Sequence, residues 1–171
     1  MFTKAAFIKS LKTEAKIIKH LATQVPAGQL DYKPTPAQRS TIDLLRYLTT
    51  GGITSAIFAT TGTWDHWEKL DAEAKKVDLA TFAKAMDRQT KAIEKLLAKE
   101  TDKTLQKKMI KTWGGEKVTL GEGLIVMVLN QFVAYRTQLF LYAKASGASH
   151  IGTSDLWRGK AAKPKKAAAS G

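Results

Sequence analysis

Leu30-Asp31-Tyr32-Lys33-Pro34-Thr35-Pro36-Ala37-Gln38-Arg39-Ser40-Thr41-Ile42-Asp43-Leu44-Leu45-Arg46-Tyr47-Leu48 changes character in its middle, at Ser40. Before it, Pro34 and Pro36 each push the preceding residue out of the helical region, so Gln29 to Arg39 reads as an extended connection. After it, Ser40 or Thr41 can accept a backbone N–H as an N-cap, and Asp43 adds a favourable charge to the first turn. Ile42, Leu45, Leu48 and Gly52 then recur at helical spacing, which predicts a helix running to about Thr60. The Gly51-Gly52 pair is its weak point, at roughly 1 kcal/mol per glycine against alanine, and marks either a kink or a close helix crossing.

Outward from this stretch the chain is helical in both directions. Phe7, Ile8, Leu11, Ala15, Ile18, Ala22 and Val25 form one stripe, ended by Pro26 and Gly28. Trp64, Asp65, His66, Trp67 and Glu68 fall in a mixed segment from Thr61 to Val77, read as loop with a helical turn or two; the rings form a packed lid on the bundle end and the charges face water. Asp78 caps a third helix whose stripe is Leu79, Phe82, Ala83, Met86, Ile93, Leu96 and Leu97. Lys111 to Leu120 holds two short extended pieces around Gly114-Gly115, as a small hairpin or ordered loop would. Thr119, Leu120 and Glu122 open a last helix ending at Gly147, with Leu124, Met127, Gln131, Tyr135, Gln138 and Tyr142 facing inward. Four long amphipathic helices with one long crossover predict an all-α antiparallel four-helix bundle spanning residues 1–157, followed by a flexible basic tail over 158–171.

Composition narrows the function classes. The 171 residues are 44% hydrophobic and 25% charged, a globular balance that suits one domain. The absence of cysteine excludes disulfides, thiolate nucleophiles and thiolate ligands. No export signal is visible, and a cytoplasmic location is expected. The longest uncharged apolar run, Gly123 to Tyr135, is shorter than the roughly 20 residues of a membrane span, so no span is expected. A formal charge of +13 favours anionic partners, but Arg158, Lys160, Lys163, Lys165 and Lys166 contribute five of those charges from the tail. Such a tail can bind nucleic acid or an anionic surface nonspecifically; sequence-specific DNA binding is not expected, for no recognition motif accompanies the charge. His20, His66 and His150 lie in three separate segments with no metal-binding spacing, and no nucleophile elbow or phosphate loop is present.

The run from Leu30 to Leu48 resembles the segment entering helix two of DinB-like proteins, and Tyr135-Arg136-Thr137-Gln138-Leu139, closing at Ser146-Gly147, is similar to that family's helix-four signature. The resemblance covers residues 5 to 147. It implies a divalent nickel, zinc or iron ion held by three histidines, and members that transfer or isomerise low-molecular-weight thiols. At the matching positions stand Tyr47, Gln131 and Tyr135 instead, so no metal cofactor is expected: a carboxamide is a weak ligand, and a phenol must first lose a proton of pKa about 10.

Three uses of these residues are open. They can fill the vacated pocket and hydrogen-bond to one another, which ligand chemistry favours; they can line a metal-free small-molecule pocket, with Asp43, Gln138, Trp64 and His66 as neighbours; or they can form an unusual tyrosinate metal site. The expected protein is therefore a metal-free bundle, a homodimer, with a small-molecule pocket or a purely structural role, and not a metal-dependent enzyme. A thiol-dependent transferase is the alternative that the resemblance implies.

Overall fold

The structure, a computed structural model, describes residues 2–162. Helix α1 (Lys4–Ala22) starts where the Thr3 side chain accepts the Ala6 amide, and buries Phe7, Leu11, Ile18 and Leu21 along one stripe. The proline-rich connection then crosses to Ser40, which caps α2 (Thr41–Leu48) by accepting the Asp43 amide. Helix α5 (Leu79–Leu96) opens on a capping box in which the Asp78 side chain and the Thr81 backbone and hydroxyl satisfy one another. Its stripe buries Phe82, Met86 and Ile93.

The predicted single helix from Ser40 to Thr60 is two helices. α2 stops at Leu48, and α3 (Gly51–Thr61) begins after Thr49 and Thr50. Both threonines turn their hydroxyls back to carbonyls one turn earlier, Thr49 to Arg46 at 2.7 Å, a local alternative to the helical ladder. The break is spliced from outside. Buried Gln89 on α5 donates through Nε2 to the Leu48 carbonyl at 2.7 Å and accepts the Ile53 amide on Oε1 at 3.1 Å. One side chain thus satisfies backbone groups on both sides of the interruption.

Between α3 and α5 the mixed segment contains α4 (Trp67–Ala74), two turns long. Beyond α5 a short 3₁₀ turn and α6 (Asp102–Lys107) lead to the expected hairpin, β1 (Met109–Lys111) paired antiparallel with β2 (Lys117–Thr119) in the register Ile110 opposite Val118. Gly115, at φ 86°, supplies the turn.

The last long helix is α7 (Leu120–Leu124), a π-helical turn (Ile125–Leu129) and α8 (Asn130–Ala145) in unbroken succession. That turn corrects the predicted inward face. The buried positions after it are Phe132, Arg136, Leu139, Tyr142 and Ala143, while Gln131, Tyr135 and Gln138 stand one residue to the side, only half buried. The wide turn holds one more residue than an α-turn, and so displaces the stripe by one. The segment Leu120–Ala145 is long enough to cross a membrane and contains an 18-residue stretch of mean hydropathy 1.4, yet one face packs on α1, α2 and α3.

Arg136 enters the core as half of an ion pair, with Nη1 2.9 Å from Glu14 on α1. The final helix, α9 (Thr153–Arg158), is held to α1 by His20 Nε2 against Asp155 Oδ1 at 2.8 Å. Arg158 closes that helix, and Gly159 packs on Ile17 with φ 59°, so the ordered chain extends past the predicted start of the tail at residue 158. The tail lysines Lys163, Lys165 and Lys166 lie outside the described residues.

The glycine pair marks a crossing as well as a break. A Cβ at Gly51 would lie 3.1 Å from Gln131 Nε2, and one at Gly52 would overlap the Phe132 ring. Gly52→Ala is therefore expected to destabilise the fold by about 1–3 kcal/mol in urea unfolding, although alanine is the better helix former.

Candidate functional site

Tyr47 leaves the last turn of α2, and Gln131 and Tyr135 occupy successive turns of α8. Four residues apart on one helix, the last two share a face. Gln131 Nε2 donates to Tyr47 Oη at 2.6 Å, and the Tyr47 and Tyr135 rings meet edge to face with centroids 5.0 Å apart. The carboxamide oxygen of Gln131 lies 3.5 Å from Ser55 Oγ on α3. Gly51 makes room for this arrangement, since a Cβ there would crowd the Gln131 amide at 3.1 Å.

These residues floor an open groove of about 1130 Å³ rather than a closed interior cavity. Its walls are Trp64 from the loop before α4, Trp67 at the start of α4, and Trp113 from the hairpin turn. The three indoles are 44%, 40% and 51% exposed, respectively. Phe58 of α3 stacks on Trp64 at 4.4 Å and 19°, fixing the plane of that ring. Asp65 and Glu68 also line the groove.

Among the other expected neighbours, Trp64 is present and three residues are elsewhere. Asp43 accepts from the cap hydroxyl of Ser40 and reaches toward Arg46, one turn before Tyr47 on α2. Gln138 donates to the Tyr142 hydroxyl at 2.8 Å, and that hydroxyl donates in turn to the Arg39 carbonyl before α2. His66 is the residue preceding α4, with an exposed side chain outside the groove lining. The remaining histidines are engaged separately, His20 with Asp155 and His150 with Gln24. Sequence patterning had no means of placing Trp113 or Ser55 here; Trp113 carried only the weak signal of an indole beside a glycine turn.

The electrostatics favour the neutral form of Tyr47. Burial first, and then the facing Tyr135 phenol, raise the Tyr47 hydroxyl above its ordinary value, outweighing Arg39 and the Gln131 hydrogen bond. The Arg39 guanidinium lies 4.2 Å from the centre of the Tyr47 ring. This donor set fits a divalent ion poorly. The Tyr47 oxygen keeps its proton at neutral pH and already accepts from Gln131, leaving a carboxamide oxygen and the Tyr135 phenol as donors. Among the described residues no three His, Asp or Glu side chains gather into a metal-binding group.

The architecture is shared with a solved protein. The crystal structure of a DinB-like protein, YjoA from Bacillus subtilis, superposes with a TM-score of 0.64 at 20% sequence identity, over 82% of this chain and 92% of that one. The chain thus has the DinB-like fold. No family model matches the sequence, and no curated protein matches it.

The raised Tyr47 value has a sign that can be measured. A hydroxyl whose pKa is higher folded than unfolded contributes fully below the unfolded value, and that contribution is lost as pH rises through the folded one. Stability should therefore fall with pH above about 10, where free phenols begin to ionise. In urea unfolding, Tyr47→Phe is expected to flatten this alkaline slope while lowering stability at neutral pH; an unchanged slope would remove Tyr47 as its source.

Proposed function

We propose that this chain is a metal-free small-molecule-binding protein on the DinB-like fold, with its ligand held in the groove above Tyr47, Gln131 and Tyr135. The observation that carries this reading is the coincidence of two kinds of surface in one place. A floor of hydrogen-bonding groups, two phenols, a carboxamide and the Ser55 hydroxyl, is faced by three exposed indoles. Ligand sites combine apolar walls with a few convergent polar groups in this way. Exposed tryptophans scattered singly would need no explanation, whereas three around one concavity support a site.

The chemistry supports holding rather than transformation. With its proton retained, the Tyr47 hydroxyl suits donation of a hydrogen bond and is poorly suited to abstracting a proton at neutral pH. Binding should be visible through the walls themselves. In a small-molecule screen read by tryptophan fluorescence, a ligand of this groove is expected to lose most of its signal in Trp67→Ala and about tenfold in affinity in Gln131→Leu. Metal analysis of protein purified without a histidine tag is expected to give far less than one equivalent of nickel, zinc or iron; full occupancy would overturn the metal-free reading.

A homodimer through α8 is supported by a separate observation. Val133, Thr137 and Leu141 repeat at four-residue steps on its outer face, where Leu141 is 56% exposed. This exposed apolar face also explains why the helix has the hydropathy of a membrane span. Sedimentation velocity is expected to show a dimer, and Val133→Glu with Leu141→Glu a folded monomer; identical masses for the two proteins would remove α8 as the interface.

A further inference from the structure

Charge in the groove runs against charge in the chain. Lysine and arginine outnumber aspartate and glutamate by 28 to 15, yet none of the groove's lining residues is basic and two, Asp65 and Glu68, are acidic. Neither carboxylate is in an ion pair or a side-chain hydrogen bond among the described residues, in contrast to Asp43, Asp71, Asp87, Glu94 and Asp155. They flank Trp67 and follow Trp64, so acid and indole alternate through a single short segment.

We infer that the groove selects an organic cation, a quaternary or protonated ammonium group on a small apolar body. This rests on the small-molecule reading of the groove and names its ligand class. An ammonium over an indole face is attracted by the ring quadrupole, tryptophan being the strongest partner, and a cage of such rings is the usual way to bind a charge that offers few hydrogen bonds. Phe58 covers one face of Trp64 and leaves the other for a ligand. Arg39, itself outside the groove lining, already occupies the Tyr47 ring at 4.2 Å, so the indoles rather than that phenol are the faces offered to a ligand cation. The two carboxylates stand at the exposed edge, where they draw cations toward the rings and turn anions away. The hydroxyls and the carboxamide below can then orient the polar end of the ligand body.

The test compares one shape in three charge states. Choline is titrated into the full chain at constant ionic strength beside its uncharged carbon isostere dimethylbutanol and the corresponding anion dimethylbutyrate. Binding is read from the indole N–H signals of Trp64, Trp67 and Trp113 by NMR, each assigned with a Trp→Phe variant. Choline is expected to shift all three saturably, with an affinity about tenfold above that of dimethylbutanol. In Asp65→Asn with Glu68→Gln, choline should lose about tenfold while dimethylbutanol is unchanged. Equal affinities for choline and dimethylbutanol, or tighter binding of dimethylbutyrate, would overturn the choice of a cation while leaving a ligand groove in place. Shifts from none of the three would overturn it as well, and the groove itself would then stand or fall by the fluorescence screen. Both substitutions are on exposed side chains, and far-UV circular dichroism checks that the variants are folded.

Discussion

Two absent side chains set the distance on which the bundle depends. At Gly51 and Gly52 helix α3 presents bare backbone to α8, and Gln131 and Phe132 occupy the space a Cβ would need. Phe132 is thereby driven into the core, and Gln131 lies close enough to α2 to bond Tyr47. The crossing and the site are the same contact seen from two sides. A side chain at Gly52 would overlap the Phe132 ring and disturb the core, while one at Gly51 would crowd the Gln131 carboxamide that bonds Tyr47.

The cost of that close approach falls on the backbone just before it, where the chain gives up its helix at Thr49 and Thr50. A buried interruption leaves amides and carbonyls without partners, and burying them unpaired would cost on the order of 1–3 kcal/mol for each group. Gln89 resolves this from the neighbouring helix by using both ends of its amide. Two glutamines, Gln89 in the core and Gln131 at the groove, thus hold opposite flanks of one glycine pair. Gln131 stood on the inward stripe that the sequence suggested, whereas nothing in the stripe of α5 announced Gln89 as a polar fixture.

Much of the frame was legible in residues with local signals. Asp78 before Leu79, Ser40 before Thr41 and Thr119 before Leu120 each cap a helix as their side-chain chemistry requires. Pro34, Pro36 and the Gly114-Gly115 pair placed the crossover and the hairpin. Tyr47, Gln131 and Tyr135 converge in space, as the resemblance to DinB-like proteins implied. What stayed hidden depends on partners distant in sequence. The helix break is held by a residue 41 positions from Leu48, and Trp113 reaches the groove only because the hairpin folds beside the π turn. Asp43, Gln138 and His66 were expected as pocket neighbours, and their side chains bond locally or face water instead.

The π turn at Ile125–Leu129 acts as a phase corrector. From Leu120 the buried residues fall at Leu124, Val128, Phe132 and Arg136, a strict interval of four. In a regular α-helix each residue advances about 100°, so every such interval overshoots a full turn by about 40°, and four of them by about 160°. The stripe would wind to the opposite side of the rod before reaching the buried arginine. One surplus residue in the wide turn absorbs about 100° of that drift. The same few residues therefore govern two azimuths at once, keeping Phe132 and Arg136 aimed at the centre while Gln131 and Tyr135 look out over the rim.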